Sequence, residues 1–308
     1  MIWIGLTLFY GLAKGAREIC KKKALMKSSV IEVLFFYTLI SFVVVIPEVR
    51  NAAGLTLKQF GLVFLKSFVI FVAWICSFKA IKKLPVSVIG VLDLSRILFA
   101  TLMGMIFFSE TVSVMGAVGL ILVSAGLVML PIPKAVALRR AQAANPKVSP
   151  IRERLNIGYV ILALVNCILN AVSGTLDKYL MSGTDMTSGQ LQFWYMLFLL
   201  IMYGLYILVK EVKIKKDGKE DLHMINWKNL VKNYWIYALA VLLVLADRAL
   251  FIANADPNSK VTVMTLIKQS GCIITILGGK FIFKEKDILY KMICAAVIIA
   301  GIVIATVW

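Results

Sequence analysis

Apolar residues along this chain come in long blocks. Short polar interruptions divide them into ten stretches, near 2–20, 30–47, 60–81, 84–108, 112–132, 156–180, 188–209, 232–255, 260–282 and 287–307. Several reach the ~20 residues that a helix needs to cross the hydrocarbon of a bilayer. Barrel strands are shorter than these blocks, and hydrocarbon offers nothing to unpaired backbone groups, so helices are the predicted form. The pattern predicts an all-α integral membrane protein with ten transmembrane helices.

The blocks repeat. From Leu84 to Leu130 the chain reads as two apolar helices joined by a short turn at Ser109, Glu110 and Thr111, and a second copy runs from Ser259 to Thr306. At an offset of 175 positions Val88 meets Val263, Ser95 meets Ser270, Gly104 meets Gly279, Phe108 meets Phe283, Glu110 meets Glu285 and Gly126 meets Gly301. More faintly, Gly15 to Glu18 lies over Gly174 to Asp177. A Pro-containing basic stretch separates five spans from five, which divides the chain into a first repeat (1–133), a linker (134–155) and a second repeat (156–308). Five is odd, so the second repeat must enter the membrane with opposite polarity. Two inverted five-helix repeats are the plan of many secondary transporters.

Composition agrees with a membrane setting: 61% of the 308 residues are apolar and the mean hydropathy is +0.90. The formal charge of +18 could point to nucleic acid. Its carriers, however, cluster between spans, as in Lys21-Lys22-Lys23, Lys82-Lys83, Arg139-Arg140 and Lys213-Lys215-Lys216, and no aromatic-basic module accompanies them. These clusters follow spans one, three, five and seven, so the positive-inside rule places both termini outside the cytoplasm. The inner or plasma membrane of a prokaryotic cell is the expected location. The apolar run near Met1 is expected to be a first span rather than a cleaved leader, for it lacks a basic n-region.

The five cysteines, Cys20, Cys76, Cys167, Cys272 and Cys294, fall in or at the ends of apolar blocks with no paired spacing. The single His223 lies in a polar loop. No metal site, cofactor or catalytic residue is expected, and the absence of GxxxxGK[ST] argues against an ATP-driven pump. Trp194, Tyr195, Tyr234 and Trp235 sit at span ends, where an aromatic belt would lie. Gly116, Gly119 and Gly126 in span five, and Ala296, Ala300 and Gly301 in span ten, would let helices approach closely, within one chain or across a homodimer.

Ionisable side chains inside spans carry the most information, because each costs at least ~2.5–3.5 kcal/mol at a helix centre and normally faces a bundle interior or water. Span four holds Asp93 and Arg96, span eight Asp247 and Arg248, and span nine Lys268 followed by Gln269. At the repeat offset Asp93 corresponds to Lys268, so matched helices offer opposite charges at one depth. Arg96, Lys268 and Arg248 are candidate ligands for an anionic group, Arg by its planar fork and Lys as a point charge. Asp93 and Asp247 would orient them or take up protons, and Asp177 joins them as a candidate counter-charge.

In span six Asn166, Asn170, Ser173 and Asp177 form one polar stripe, of which Asn170 is the better candidate for a cavity. Trp74 and Ser77 in span three and Phe251 in span eight would furnish an apolar wall with a hydroxyl. Lys14 and Glu18, with Arg17 between, read as a local pair. Glu110 and Glu285 open spans five and ten, where a helix N-terminus favours a carboxylate, and a structural turn is their expected role. The alternative set of roles makes the chain a proton-coupled exporter of cationic or amphipathic compounds, with Asp93 or Asp247 as the site. A lipid flippase or a membrane-embedded enzyme would need a lateral opening or a catalytic cluster. A purely structural subunit fits poorly with so many charges in mid-span.

FFSETVSVMGAVGLILVSAG, FIFKEKDILYKMICAAVIIAG and FKAIKKLPVS resemble the drug/metabolite transporter superfamily, EamA type. The resemblance implies movement of a small metabolite by alternating access through a central cavity lined by helices one, three, four, six, eight and nine. The expected partners are therefore a small-molecule substrate and the lipid bilayer. Many members carry proline where this chain reads Leu94-Ser95-Arg96-Ile97, so the resemblance does not itself carry a kink to span four. Relatives are often drawn with both termini in the cytoplasm, against the charge bias here.

Overall fold

The hydrophobic blocks are helices in the computed structural model, which describes residues 2–108, 113–130, 151–216, 225, 227–256, 259, 264, 267–285 and 287–307. In order they are α1 (Ile2–Leu25), α2 (Val30–Val45), a 3-10 segment (Ile46–Asn51), α3 (Leu57–Lys83), α4 (Val86–Asp93), α5 (Arg96–Phe108), α6 (Val114–Met129), α7 (Ile151–Ser182), α8 (Ser188–Lys216), α9 (Trp227–Val231), α10 (Tyr234–Ala255), α11 (Ser270–Phe281) and α12 (Ile288–Val307). Among the described residues five segments are long and apolar enough to cross a membrane: Val30–Asn51, Leu57–Lys83, Ile157–Met181, Ser188–Val212 and Tyr234–Ala255. Val114–Met129, Ser270–Phe281 and Ile288–Ile304 are shorter apolar helices. Glu110, His223 and most of the 134–155 linker lie outside the described residues, although α7 begins within that linker.

The helices start where the sequence supplies acceptors for their first amides. Ser29 with Glu32, and Thr56 with Gln59, form reciprocal capping boxes at α2 and α3. Thr187 and Gln190 exchange the same pair of bonds at α8, and Ser113 accepts from the Gly116 amide at α6. Inside the spans, hydroxyls fold back on their own helix. Thr7 donates to the Trp3 carbonyl, Thr38 to Leu34, Ser41 to Tyr37 and Ser67 to Val63, at 2.7–2.8 Å. A hydroxyl so engaged needs no water, which makes it tolerable in hydrocarbon.

Span four, expected as one long helix, is two. After Asp93 the backbone tightens: Leu94 N–H bonds Val91 O and Ser95 N–H bonds Leu92 O, and α5 begins at Arg96. These i→i−3 bonds mark a 3-10 turn, formed without a proline. Span nine breaks at the matching place. Ile267 and Lys268 are helical, Gln269 is a turn, Cys272 N–H bonds Gln269 O, and α11 starts at Ser270. Ser95 and Ser270, paired by the 175 offset, thus stand at two equivalent interruptions.

The two halves of the sequence interlace instead of forming separate bodies. α1 packs on α10 and α11, α3 on α7 and α8, α4 on α11, and α6 on α12. Small residues make the tightest of these contacts. Gly301 in α12 lies so close to α6 that a Cβ there would sit 2.7 Å from the Gly119 carbonyl, and Gly126 faces Ile298 and the Cys294 carbonyl. Gly119, Gly126 and Gly301 thus make close helix contacts within the chain. Outward-facing positions such as Phe64, Phe68, Ile121 and Leu205 are exposed and apolar, as a surface against lipid requires.

Contacts define two ends. At the basic end Lys22 Nζ donates to the carbonyls of Ile81 (2.6 Å) and Leu84 (2.8 Å), and Asn233 Nδ2 donates to Ala24 O (3.0 Å). At the opposite end Trp194 Nε1 donates to Ala52 O and Gln190 to Ala53 O, both at 2.8 Å.

Candidate functional site

Between mid-depth and the end opposite the basic one lies a cavity of about 320 Å³, near the lower bound of ligand pockets (~300–1,000 Å³). α1 contributes Tyr10, Lys14 and Arg17; α3 contributes Lys66, Ile70 and Trp74; α5 contributes Arg96. α7 supplies Asn170, Ser173, Asp177 and Lys178, α8 supplies Tyr195, and α10 supplies Asp247, Phe251 and Asn254. Met264, Lys268 and Gln269 complete it from the broken span nine. The lining spans are the six that the resemblance implies, with Tyr195 of span seven added.

Among the described residues six cationic and two acidic side chains, Asp177 and Asp247, line this cavity, and a third acid, Asp93, stands beside it in contact with two of those cations. The acids are all engaged. Asp93 takes a close bond from Lys14 Nζ and one of 3.3 Å from Arg96 Nη2. Asp247 accepts from Arg17 Nη1 (3.3 Å) and from the Tyr195 hydroxyl (2.6 Å). Asp177 pairs with Lys66 Nζ at 3.1 Å, and that ammonium lies 3.9 Å from the Tyr195 ring centre. Lys178 donates to Asn254 O (3.2 Å) and Ser259 Oγ (3.4 Å). Lys268 differs: among the described residues it forms no ion pair within 4 Å, and the face of Tyr10 lies 5.9 Å from it.

Most candidates from the sequence converge here. Arg96, Lys268, Asn170, Gln269, Trp74, Asp247 and Asp177 line the cavity, and Asp93, in the adjoining narrow hollow, pairs with its Lys14 and Arg96. Asn170 is held by Asn166, to whose carbonyl and side-chain oxygen it donates at 2.8 and 2.7 Å. Trp74 packs against Tyr37 in a tilted arrangement with 5.2 Å between centroids.

Arg248 does not belong with them. It leaves the cavity for the opposite end, where Nε donates to Gln192 Oε1 (2.7 Å) and Nη2 to Glu48 Oε1 (2.5 Å). Its fork is filled by protein, and it does not line the cavity. The local pair expected in α1 also dissolves: Lys14 goes to Asp93, while Glu18 pairs with Lys21 at 2.5 Å. Tyr195, expected in an aromatic belt, is 1% exposed and faces the site.

Glu285 is a cap, though not for the helix that follows it. Its carboxylate accepts from Val86 N–H (2.6 Å) and Ser87 N–H (3.3 Å) at the start of α4. Sequence reasoning missed Lys66, Lys178 and Tyr10. Lys66 carried the same signal that marked Arg96, a charge well inside a span, because α3 starts at Leu57 and places it almost three turns deep.

The fold and the site define a multi-pass helical membrane protein with a charge-lined hollow at mid-depth. Residues 1–131 match the EamA-like transporter family, which belongs to the drug/metabolite transporter superfamily. Over that stretch, about two-fifths of the chain, the sequence is similar to a family whose members are membrane transporters of the drug/metabolite type. A solved structure described only as "Crystal structure of protein" is similar over 96% of this chain and 98% of its own, with a TM-score of 0.57 at 13% identity. That likeness concerns the fold alone. No curated protein matches the chain in sequence.

Proposed function

We propose that the protein is a secondary carrier for a small anionic metabolite, working by alternating access, with residues 156–308 as the inverted second copy of the EamA-type repeat. The observation that carries the proposal is the charge balance of the cavity. Six cations and two carboxylates line it, the adjoining Asp93 is taken up by Lys14 and Arg96, and Lys268 forms no ion pair among the described residues. In a low-dielectric hollow such a surplus is relieved best by an anionic guest. Arg96 and Lys268 flank the two helix interruptions, where protein-lined irregular backbone is typical of transporter binding sites. A cationic cargo would have to displace a lysine or arginine from each acid it used.

Thermal shift on the purified chain tests this, with a panel of small phosphates, carboxylates and amines. Anions should raise the apparent Tm; a ligand at a hundredfold its Kd adds about 2.7 kcal/mol. Lys268→Met should abolish the rise, and Arg248→Ala should keep it. Stabilisation by amines alone, or an anion response unaffected by Lys268→Met, would overturn the proposal.

A further inference from the structure

The described contacts close one end of the molecule more firmly than the other. Lys14, Lys268 and Gln269 line both the main cavity and a second hollow of about 30 Å³ that continues from it toward the basic end. That second space, walled by Ser77, Ile89, Cys167, Cys272 and Thr275 among others, holds little more than a water or two. Any passage through the protein must widen it.

Across this end α4 begins with a defect. Its N-cap position is Pro85, which offers no side-chain acceptor, so the first amides of α4 are left without a local cap. The missing acceptor comes from the other half of the sequence. After α11 the chain turns back, with Ile282 N–H on Gly278 O and Glu285 N–H on Gly279 O, both at 2.9 Å. This delivers the Glu285 carboxylate to Val86 N–H, Ser87 N–H and, in a close bond, the Ser87 hydroxyl. Lys291 Nζ completes the cluster, 2.7 Å from Ser87 Oγ and 3.3 Å from Glu285 Oε2. Gly279 leaves the room this needs, for a Cβ there would lie 2.9 Å from Glu285 Oε2 and 3.1 Å from Ser87 Cβ.

We infer that Glu285 is a positioning residue for transport: with Ser87 and Lys291 it latches α4 to α11 and holds the basic end shut. The inference rests on the carrier proposed above. Opening this end separates α4 from α11, and the helix dipole and orphan amides of α4 then lose their carboxylate. The latch therefore sets how often the narrow hollow opens while the main cavity stays accessible.

Native thiols report on this without substrate. Cys167 and Cys272 are 1% and 5% exposed and line the narrow hollow, whereas Cys294, at 0%, does not line it and is packed in the cluster that joins α6, α11 and α12. The detergent-solubilised full chain would be treated with N-ethylmaleimide and modification rates followed peptide by peptide. Glu285→Gln should raise the rates at Cys167 and Cys272 about tenfold and leave Cys294 unchanged, with Ser87→Ala intermediate. Unchanged rates in Glu285→Gln and Glu285→Ala would overturn the latch. So would a parallel rise at Cys294, which would mean that Glu285 merely supports folding. Neither result bears on the anion response of Lys268, so failure of the latch and failure of the carrier proposal are separable.

Discussion

Asp247 and Arg248 are neighbours in the sequence, yet a helix turns about 100° between successive residues, so they serve different surfaces. Asp247 turns to the cavity and Arg248 to the cleft between the 3-10 segment and α8. The sequence reveals that each charge is buried in an apolar block but not what it meets, because each partner lies far away along the chain. Lys14 reaches Asp93, Arg17 reaches Asp247 and Lys66 reaches Asp177, and a search for pairs three or four apart finds none of these. Depth was therefore legible, whereas direction was not. Truncating Arg248 leaves Glu48 and Gln192 facing each other without their donor. Arg248→Ala is expected to cost about 1–3 kcal/mol, seen as a Tm lowered by several degrees in the absence of ligand. An unchanged Tm would mean that this tie contributes nothing.

At the scale of elements, block lengths and caps are read easily from the residues, whereas helix interruptions are not. Leu94-Ser95 and Gln269-Ser270 contain neither proline nor glycine, so no local breaker announces the turns; the repeat offset, which pairs Ser95 with Ser270, is their only trace in the sequence. Close packing offers the physical reason for the second. α1 presents Gly11 and Gly15 to the start of α11, and a Cβ on Gly271 would lie 2.5 Å from the Gly11 carbonyl and 3.2 Å from the Gly15 amide. Backbone meets backbone there, so nothing can rotate aside. Gly271→Ala should therefore destabilise by about 1–3 kcal/mol or more, as overpacking does. Gly158→Ala is the control. Nothing lies within 4 Å of a Cβ in that exposed stretch of α7, and alanine there should be neutral or stabilise by up to ~1 kcal/mol. Chemical denaturation in a fixed detergent would rank the two, and equal effects would contradict the packing described.

For the molecule as a whole, orientation and cavity become one question. α1 begins at the end where the cavity lies, and the Lys21–Lys23 and Lys82–Lys83 clusters sit at the other. If the charge bias governs insertion, the basic end faces the cytoplasm and the wide hollow faces outward. Ala100→Cys and Asn254→Cys place thiols in that hollow, while Cys272 stands in the narrow one behind it. In intact cells a membrane-impermeant thiol reagent should label both introduced cysteines and spare Cys272. In inside-out vesicles the introduced pair should be protected, because the route from the basic end is stoppered by Glu285, Ser87 and Lys291. The reverse pattern, with labelling only in inverted vesicles, would put the termini and the cavity in the cytoplasm, as relatives are often drawn. It would also show that opposed halves, each with its own preferred polarity, can override the loop charges. Both outcomes leave the cation surplus where it is, since an anion entering from either side meets Arg96 and Lys268 at the same depth.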